Sequence, residues 1–181
     1  MAPVTGLLDL HPAADRPDLL AAPVAAAVTA HPGLEVEVAA IDPDLADTAA
    51  FCERYEIGLD VSANCVVAAG KRGGETRFAA CVVLATTRAD VNGVVRRRLD
   101  ARKASFAAMD VAVAETGMEY GGITPVGLPA GWLLLVDAAV AATPYVVVGS
   151  GVRRSKLLLP GPALARLPGA EVVDGLASPV T

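Results

Sequence analysis

The chain has 181 residues, 54% of them hydrophobic and 19% charged, with a formal net charge of −5. That length suits a single domain, and that hydrophobic fraction supplies a core and excludes a disordered chain. The negative balance excludes a protein coated in basic surface for long nucleic acids, yet leaves room for a small basic patch that grips one end of a folded RNA.

Residues 1–16 read as an irregular lead-in broken at His11-Pro12. They carry no basic segment before an apolar stretch, and Asp9, His11, Asp15 and Arg16 interrupt them, so no secretory signal is expected. The Ala-rich stretch 17–30 predicts a helix with Pro17 in its first turn, stopped by His31-Pro32-Gly33. Alternation over 34–41 predicts a half-buried strand. A second helix is expected over 42–55, capped by Asp42 or Asp44 and ended at Ile57-Gly58. Two apolar runs, 64–69 and 76–85, flank the turn Gly70-Lys71-Arg72-Gly73-Gly74-Glu75. They predict a hairpin that is apolar on both faces, as in a sheet covered on both sides. Folding it brings Cys65 near Cys81, as buried thiols and not a redox pair.

Asp90 is the expected N-cap of a helix over 90–99, whose last turn carries Arg96, Arg97 and Arg98. A short strand over 103–106 and a helix over 110–116 lead into a glycine-rich stretch. Strands are then expected over 132–136, 145–148, 156–159 and 171–173, with short helices over 138–142 and 161–167 and a tail over 178–181. Hairpins mixed with helices make this an α+β chain, not a regular βαβ alternation. The apolar runs around 132–136 and 145–148 are too short to span a membrane. Three cysteines without C-x-x-C fit a reducing, cytoplasmic compartment. His11 and His31 are each followed by proline and have no ligand spacing, so neither a zinc site nor another cofactor is expected.

Two glycine stretches stand out. Residues 115–127 hold Gly117, Gly121, Gly122 and Gly127 with Pro125, a composition that no long helix or central strand accommodates. This reads either as a turn or as a loop whose bare N–H groups face a ligand. The second is Gly149-Ser150-Gly151, after the apolar run Tyr145-Val146-Val147-Val148. It lacks the third glycine and the long helix of a dinucleotide loop, and no histidine is placed to activate Ser150. Two glycine loops with a few polar residues at strand ends suit a pocket in which N–H groups bind an ester carbonyl and its developing oxyanion.

Thr116-Gly117, then Gly121-Gly122-Ile123-Thr124-Pro125-Val126-Gly127, an apolar run ending in Asp137, and Gly149-Ser150-Gly151 together resemble the YbaK/EbsC family of aminoacyl-tRNA editing domains. This family is found free-standing and inserted in bacterial prolyl-tRNA synthetases. The resemblance spans about 34–176 of the single domain 1–181, with 1–33 as lead-in and helix. It implies a curved, partly barrel-like mixed sheet surrounded by helices. It implies a trans-acting deacylase that hydrolyses the ester of a mischarged tRNA, without a cofactor. The implied partner is the acceptor end of aminoacyl-tRNA, with an aminoacyl-tRNA synthetase as a further associate and neither DNA nor membrane. On this resemblance Gly121, Gly122 and Ile123, with Thr124 and Pro125, hold the aminoacyl group. Gly149, Ser150 and Gly151 surround the terminal nucleotide, and Asp137 is either the family's strand-end aspartate or a cap for 138–142.

One position departs from the pattern. The family carries a functional lysine at the start of the first hairpin strand, where this chain has Asn64, with Cys65 beside it. Asn64 can hydrogen-bond a carbonyl but carries no charge, so it is either a catalytic group with Gly121 and Gly122 or a strand-start residue satisfying backbone groups. The departure keeps an alternative open: an impaired module that binds tRNA or a nucleotide without turnover. Of the basic clusters, Arg96, Arg97, Arg98, Arg102 and Lys103 read as a solvated face. Arg153, Arg154 and Lys156, beside the second glycine loop, read as contacts to acceptor-stem phosphates.

Overall fold

The computed structural model describes residues 5–180. In chain order the elements are β1 (His11–Pro12), α1 (Ala22–Ala30), β2 (Glu37–Ala40), α2 (Thr48–Tyr55), β3 (Ala63–Arg72), β4 (Glu75–Leu84), β5 (Thr87–Ala89), α3 (Arg96–Arg98), β6 (Lys103–Phe106), α4 (Met109–Thr116), β7 (Leu133–Asp137), α5 (Ala138–Ala141), β8 (Val146–Gly149), β9 (Ser155–Leu159), α6 (Gly161–Leu164), β10 (Ala170–Val173) and β11 (Ala177–Pro179). The fold is α+β, with mixed sheets and helices around them.

Three sheets form. The largest has the order β10-β7-β4-β3-β6, the second β1-β2-β9-β8, and β11 pairs with β5 in a two-stranded ribbon. The expected curved sheet is therefore divided: the two large sheets meet at a single parallel bridge, Ser62 to Val147, and neither closes into a barrel. The spine is the β3–β4 hairpin, ten residues a side in register from Ala63–Leu84 to Arg72–Glu75. Its two-residue turn, Gly73-Gly74, takes positive φ at both positions, the geometry that matches the strands' twist.

Alternation along these strands sorts the side chains into three cores. Val82, Leu134 and Val136 of the large sheet meet Val146, Val148, Leu157 and Leu159 of the second sheet, with Val24 and Val28 of α1 closing the layer. The opposite face of the large sheet, Cys81, Val83 and Leu135, packs on Val91, Val95, Leu99 and Leu176. The outer face of the second sheet, Val147 and Leu158, packs on Phe51 and Cys52 of α2. Both faces of the central strands are thus covered, which is why β4, β7 and β8 are apolar over most of their length.

Several elements differ from the sequence reading for identifiable reasons. The helix expected over 17–30 begins only at Ala22: Pro17–Leu19 is a separate 3-10 turn, and Pro23 occupies the first turn of α1, where a missing N–H costs nothing. The helix expected over 42–55 is likewise split. Pro43–Leu45 makes a 3-10 turn, with Asp42 accepting from the N–H of Asp44, and extended Asp47 restarts the chain as α2. Cys65 and Cys81 lie on opposite faces, because Cys65 pairs with Val82 and Val66 with Cys81. The lead-in contains β1, and the tail contains β11, each held by a neighbouring strand; residues 1–4 and 181 of those segments lie outside the described residues. Asp90 does cap its segment, accepting from the N–H groups of Gly93 and Val94, although the first turn after it is a π turn.

Candidate functional site

The two glycine loops, some thirty residues apart in sequence, touch through their backbones. The N–H of Gly151 donates to the carbonyl of Gly122 at 2.7 Å, and the N–H of Glu119 to the carbonyl of Gly151 at 2.8 Å. A Cβ on Gly149 would lie 2.5 Å from the carbonyl oxygen of Gly122, and one on Gly122 would lie 2.7 Å from the backbone of Val152. No side chain fits at either contact, so glycine is required there by close approach.

Beside this seam is a cavity of about 330 Å³. Asn64, Cys65 and Val67 of β3 form one wall, Gly121 and Ile123 a second, and Gly149 and Lys156 a third. Asp47 and Thr48, at the start of α2, close the fourth. The restart of the chain at Asp47 is what turns these two residues to the cavity. The topology aligns the polar groups. From the bridge at Ser62–Val147, two residues further along each strand reach Asn64 and Gly149, and Gly149 pairs with Lys156 across the β8–β9 ladder. The two polar side chains therefore flank a bare glycine.

The Asn64 side-chain carbonyl accepts a 2.7 Å hydrogen bond from the hydroxyl of Thr48. This leaves the amide NH₂ group without a protein acceptor among the described residues. The Lys156 ammonium donates to the carbonyl of Ala46 at 3.0 Å and lies 5.1 Å from the centre of the Phe51 ring. Burial lowers its pKa, with Arg153 adding to the effect and Cys52 and Asp47 opposing it. Burial pushes the Cys65 thiol far up, so it is a neutral wall and not a thiolate nucleophile.

Three exposed apolar side chains stand at the cavity: Phe106 at the end of β6, Met109 at the start of α4, and Tyr120 in the first glycine loop. They are 48%, 55% and 55% exposed, which is costly for large apolar groups unless something covers them in use.

Of the residues singled out from sequence, Asn64, Cys65, Gly121, Ile123, Gly149 and Lys156 line this cavity. The others lie outside its lining. The Gly122 N–H is engaged by the carbonyl of Glu119 at 2.9 Å. Thr124 and Pro125 are buried behind the loop, where the Thr124 hydroxyl has no partner among the described residues. Ser150 is fully buried, and its hydroxyl donates to the carbonyls of Val152 and Ser155, locking the loop from within. Gly151, at φ +89°, has no room for a side chain: an added Cβ would collide with Ala21 and Val24. Asp137 is buried beside the backbone of Leu176 and Ala177, and burial raises its pKa while nearby N–H groups offset part of the rise.

A sequence profile described as the aminoacyl-tRNA editing domain matches residues 42–167. The chain belongs to this family. The matched range takes in every lining residue of the cavity, and the editing-domain fold recurs in solved structures. One, a protein proposed to be a trans-editing enzyme for prolyl-tRNA synthetase, is 20% identical with a TM-score of 0.72, over 85% of this chain and 94% of its own. Another, the hypothetical protein APE2540, is 19% identical with a TM-score of 0.75, over 86% of this chain and 99% of its own. A scaffold protein used for epitope backbone grafting is 21% identical with a TM-score of 0.72, over 85% and 95%. No curated protein matches the sequence.

Within this editing domain the basic residues after the second glycine loop hold the site together. Arg153 donates to the carbonyl of Pro43 at 3.2 Å and reaches the carbonyl of Tyr120 and the carboxylate of Asp47. Arg154 donates to the carbonyl of Asp18 at 2.8 Å. Lys156 turns inward to the cavity. Sequence reasoning passed over Asp47, Thr48 and the inward direction of Lys156. The signal for Lys156 was its place in Ser155-Lys156-Leu157-Leu158-Leu159, where a lysine inside an apolar strand needs a partner.

Proposed function

We propose that the cavity hydrolyses the ester between an amino acid and the terminal adenosine of a tRNA, and that the chain acts in trans as an aminoacyl-tRNA deacylase. The observation that carries this reading is the presence of two donors, Asn64 and Lys156, in the lining of one cavity that also bears the exposed aromatic side chains Phe106 and Tyr120. Family membership supplies the substrate class.

The Asn64 amide and the Lys156 ammonium converge on the ester carbonyl oxygen and stabilise the oxyanion that forms when water attacks. Asp47 is the acidic side chain of the cavity wall among the described residues, and it accepts the proton of the attacking water. The new bond joins the water oxygen to the carbonyl carbon. The ester C–O bond breaks, and the ribose oxygen takes the proton back from Asp47 and leaves as a hydroxyl. Phe106 and Tyr120 supply flat apolar surface for the terminal adenine. The walls at Cys65, Val67 and Ile123 suit a small, uncharged amino-acid side chain.

The rival reading, a module that binds without turnover, draws on Asn64 standing where the resemblance implies a lysine. Lys156 in the same cavity favours the enzyme. An aminoacyl-adenosine analogue with an amide in place of the ester tests the cavity itself. It should bind the parent and raise its melting temperature. Asn64→Leu, similar in volume but without donors, should bind it at least tenfold more weakly. Equal affinity in the two proteins would remove the cavity from the account.

A further inference from the structure

A second cleft, of about 770 Å³, lies at the free edge of the large sheet and is walled by basic side chains: Lys71 and Arg72 from the end of β3, Arg96 from α3, and Arg102 and Lys103 at the start of β6. The chain as a whole carries −5, so this cluster runs against the net sign. Its local compensation is small. Asp100 pairs with Arg72 and reaches Arg77, while Lys71, Arg96, Arg102 and Lys103 form no ion pair among the described residues. Holding Lys71 opposite Lys103 in adjacent strands, as their register does, is unfavourable unless an anion sits between them. A lysine on an edge strand also blocks pairing with another sheet. That accounts for Lys103 but not for Lys71, Arg96 and Arg102 gathered around it.

The cleft and the site already described share two strands. β6 carries Lys103 in the cleft and Phe106 in the cavity wall, three residues or about 10 Å apart. β3 likewise runs from Asn64 in the cavity to Lys71 in the cleft, about 23 Å. A nucleic-acid strand with its terminal ester at Asn64 would carry several phosphates across that span. We infer that the Lys71–Arg102–Lys103 cleft binds the sugar-phosphate backbone of the RNA whose 3′ end occupies the cavity. The inference rests on the proposed deacylase reading for the identity of that RNA. Its contacts carry affinity and orientation but no base specificity, since they address phosphates alone.

The test is binding of unfractionated deacylated tRNA across a salt series, by parent and by the triple variant Lys71→Ala, Arg102→Ala, Lys103→Ala. All three side chains are exposed, so folding should be unaffected, and a melting curve checks this. The triple variant should bind at least tenfold more weakly, and its log K against log salt slope should be shallower by roughly two to three. The charge-preserving pair Lys71→Arg, Lys103→Arg should keep the parent's slope. The amide analogue, too short to reach the cleft, should bind parent and triple variant equally. An unchanged slope in the triple variant overturns the inference, as does a parent that binds no tRNA at low salt. If tRNA binding depends on the cleft while the analogue finds no site, the cleft stands and the deacylase reading fails.

Discussion

Lys156 lines the cavity at a cost in stability. Its ammonium is partly withdrawn from water, and that burial lowers its pKa below the ordinary lysine value of 10.5. Between the lowered folded value and the unfolded value, the unfolded chain binds more protons, so this residue's contribution to stability rises with pH across that window. Below the folded value the destabilisation is present in full. Lys156→Met keeps the apolar stem and removes the charge. Its melting temperature should match or exceed the parent's near neutrality, and the alkaline rise in stability should flatten. Catalysis should respond in the opposite sense. On the proposed reading the charged form stabilises the oxyanion, so the parent's rate, corrected for spontaneous ester hydrolysis, should fall as pH rises through the lowered pKa. A lower melting temperature in Lys156→Met, with no change in the pH profile, would make this lysine a packing residue.

At the scale of elements, the site is a junction of glycine backbones. β8 and the loop before β7 approach so closely that a methyl on Gly149 would meet the carbonyls of Gly122 and Ile123 at 2.5 and 2.8 Å. Gly149→Ala should therefore cost about 1–3 kcal/mol through overpacking, seen as a melting temperature lower by several degrees, roughly 2–4 °C per kcal/mol. A stability equal to the parent's would mean that the two loops can part. This contact also marks the limit of what could be read from residues in order. The hairpin β3–β4 was legible because two apolar runs flank a glycine-rich turn, but its tight turn was not: Gly70, Lys71, Arg72 and Glu75, expected in the turn, pair within the ladder and leave only Gly73-Gly74. The placement of both glycine loops at one site came from their motifs. The reason for the glycines did not: the resemblance has Gly122 hold the aminoacyl group, whereas its missing side chain makes room for the backbone of Val152. The inward turn of Lys156 and the break at Asp47 depend on how two sheets meet at Ser62–Val147, a contact between segments that share no local pattern. Asp137 and Ser150 sit in the right motifs, yet their surroundings are the backbone of neighbouring turns.

Across the whole molecule, two open sheets place a small cavity at their junction and a basic cleft at the edge of the larger one, joined by β3 and β6. Acidic overall charge and a local basic track together favour one orientation of a polyanion on the surface and disfavour coverage by long nucleic acid. The central claim is chemical, that the cavity cleaves the aminoacyl ester. It is tested most directly by single-turnover release of free amino acid from a panel of mischarged tRNAs, comparing the parent with the double variant Asn64→Ala, Lys156→Met. At least one tRNA in the panel should lose its amino acid faster with the parent than without protein. The double variant should be slower than the parent by about 10²–10³-fold or more, since each donor lost costs on that order. If no member of the panel is deacylated above the spontaneous rate, or if the double variant matches the parent, the cavity is not a deacylation site.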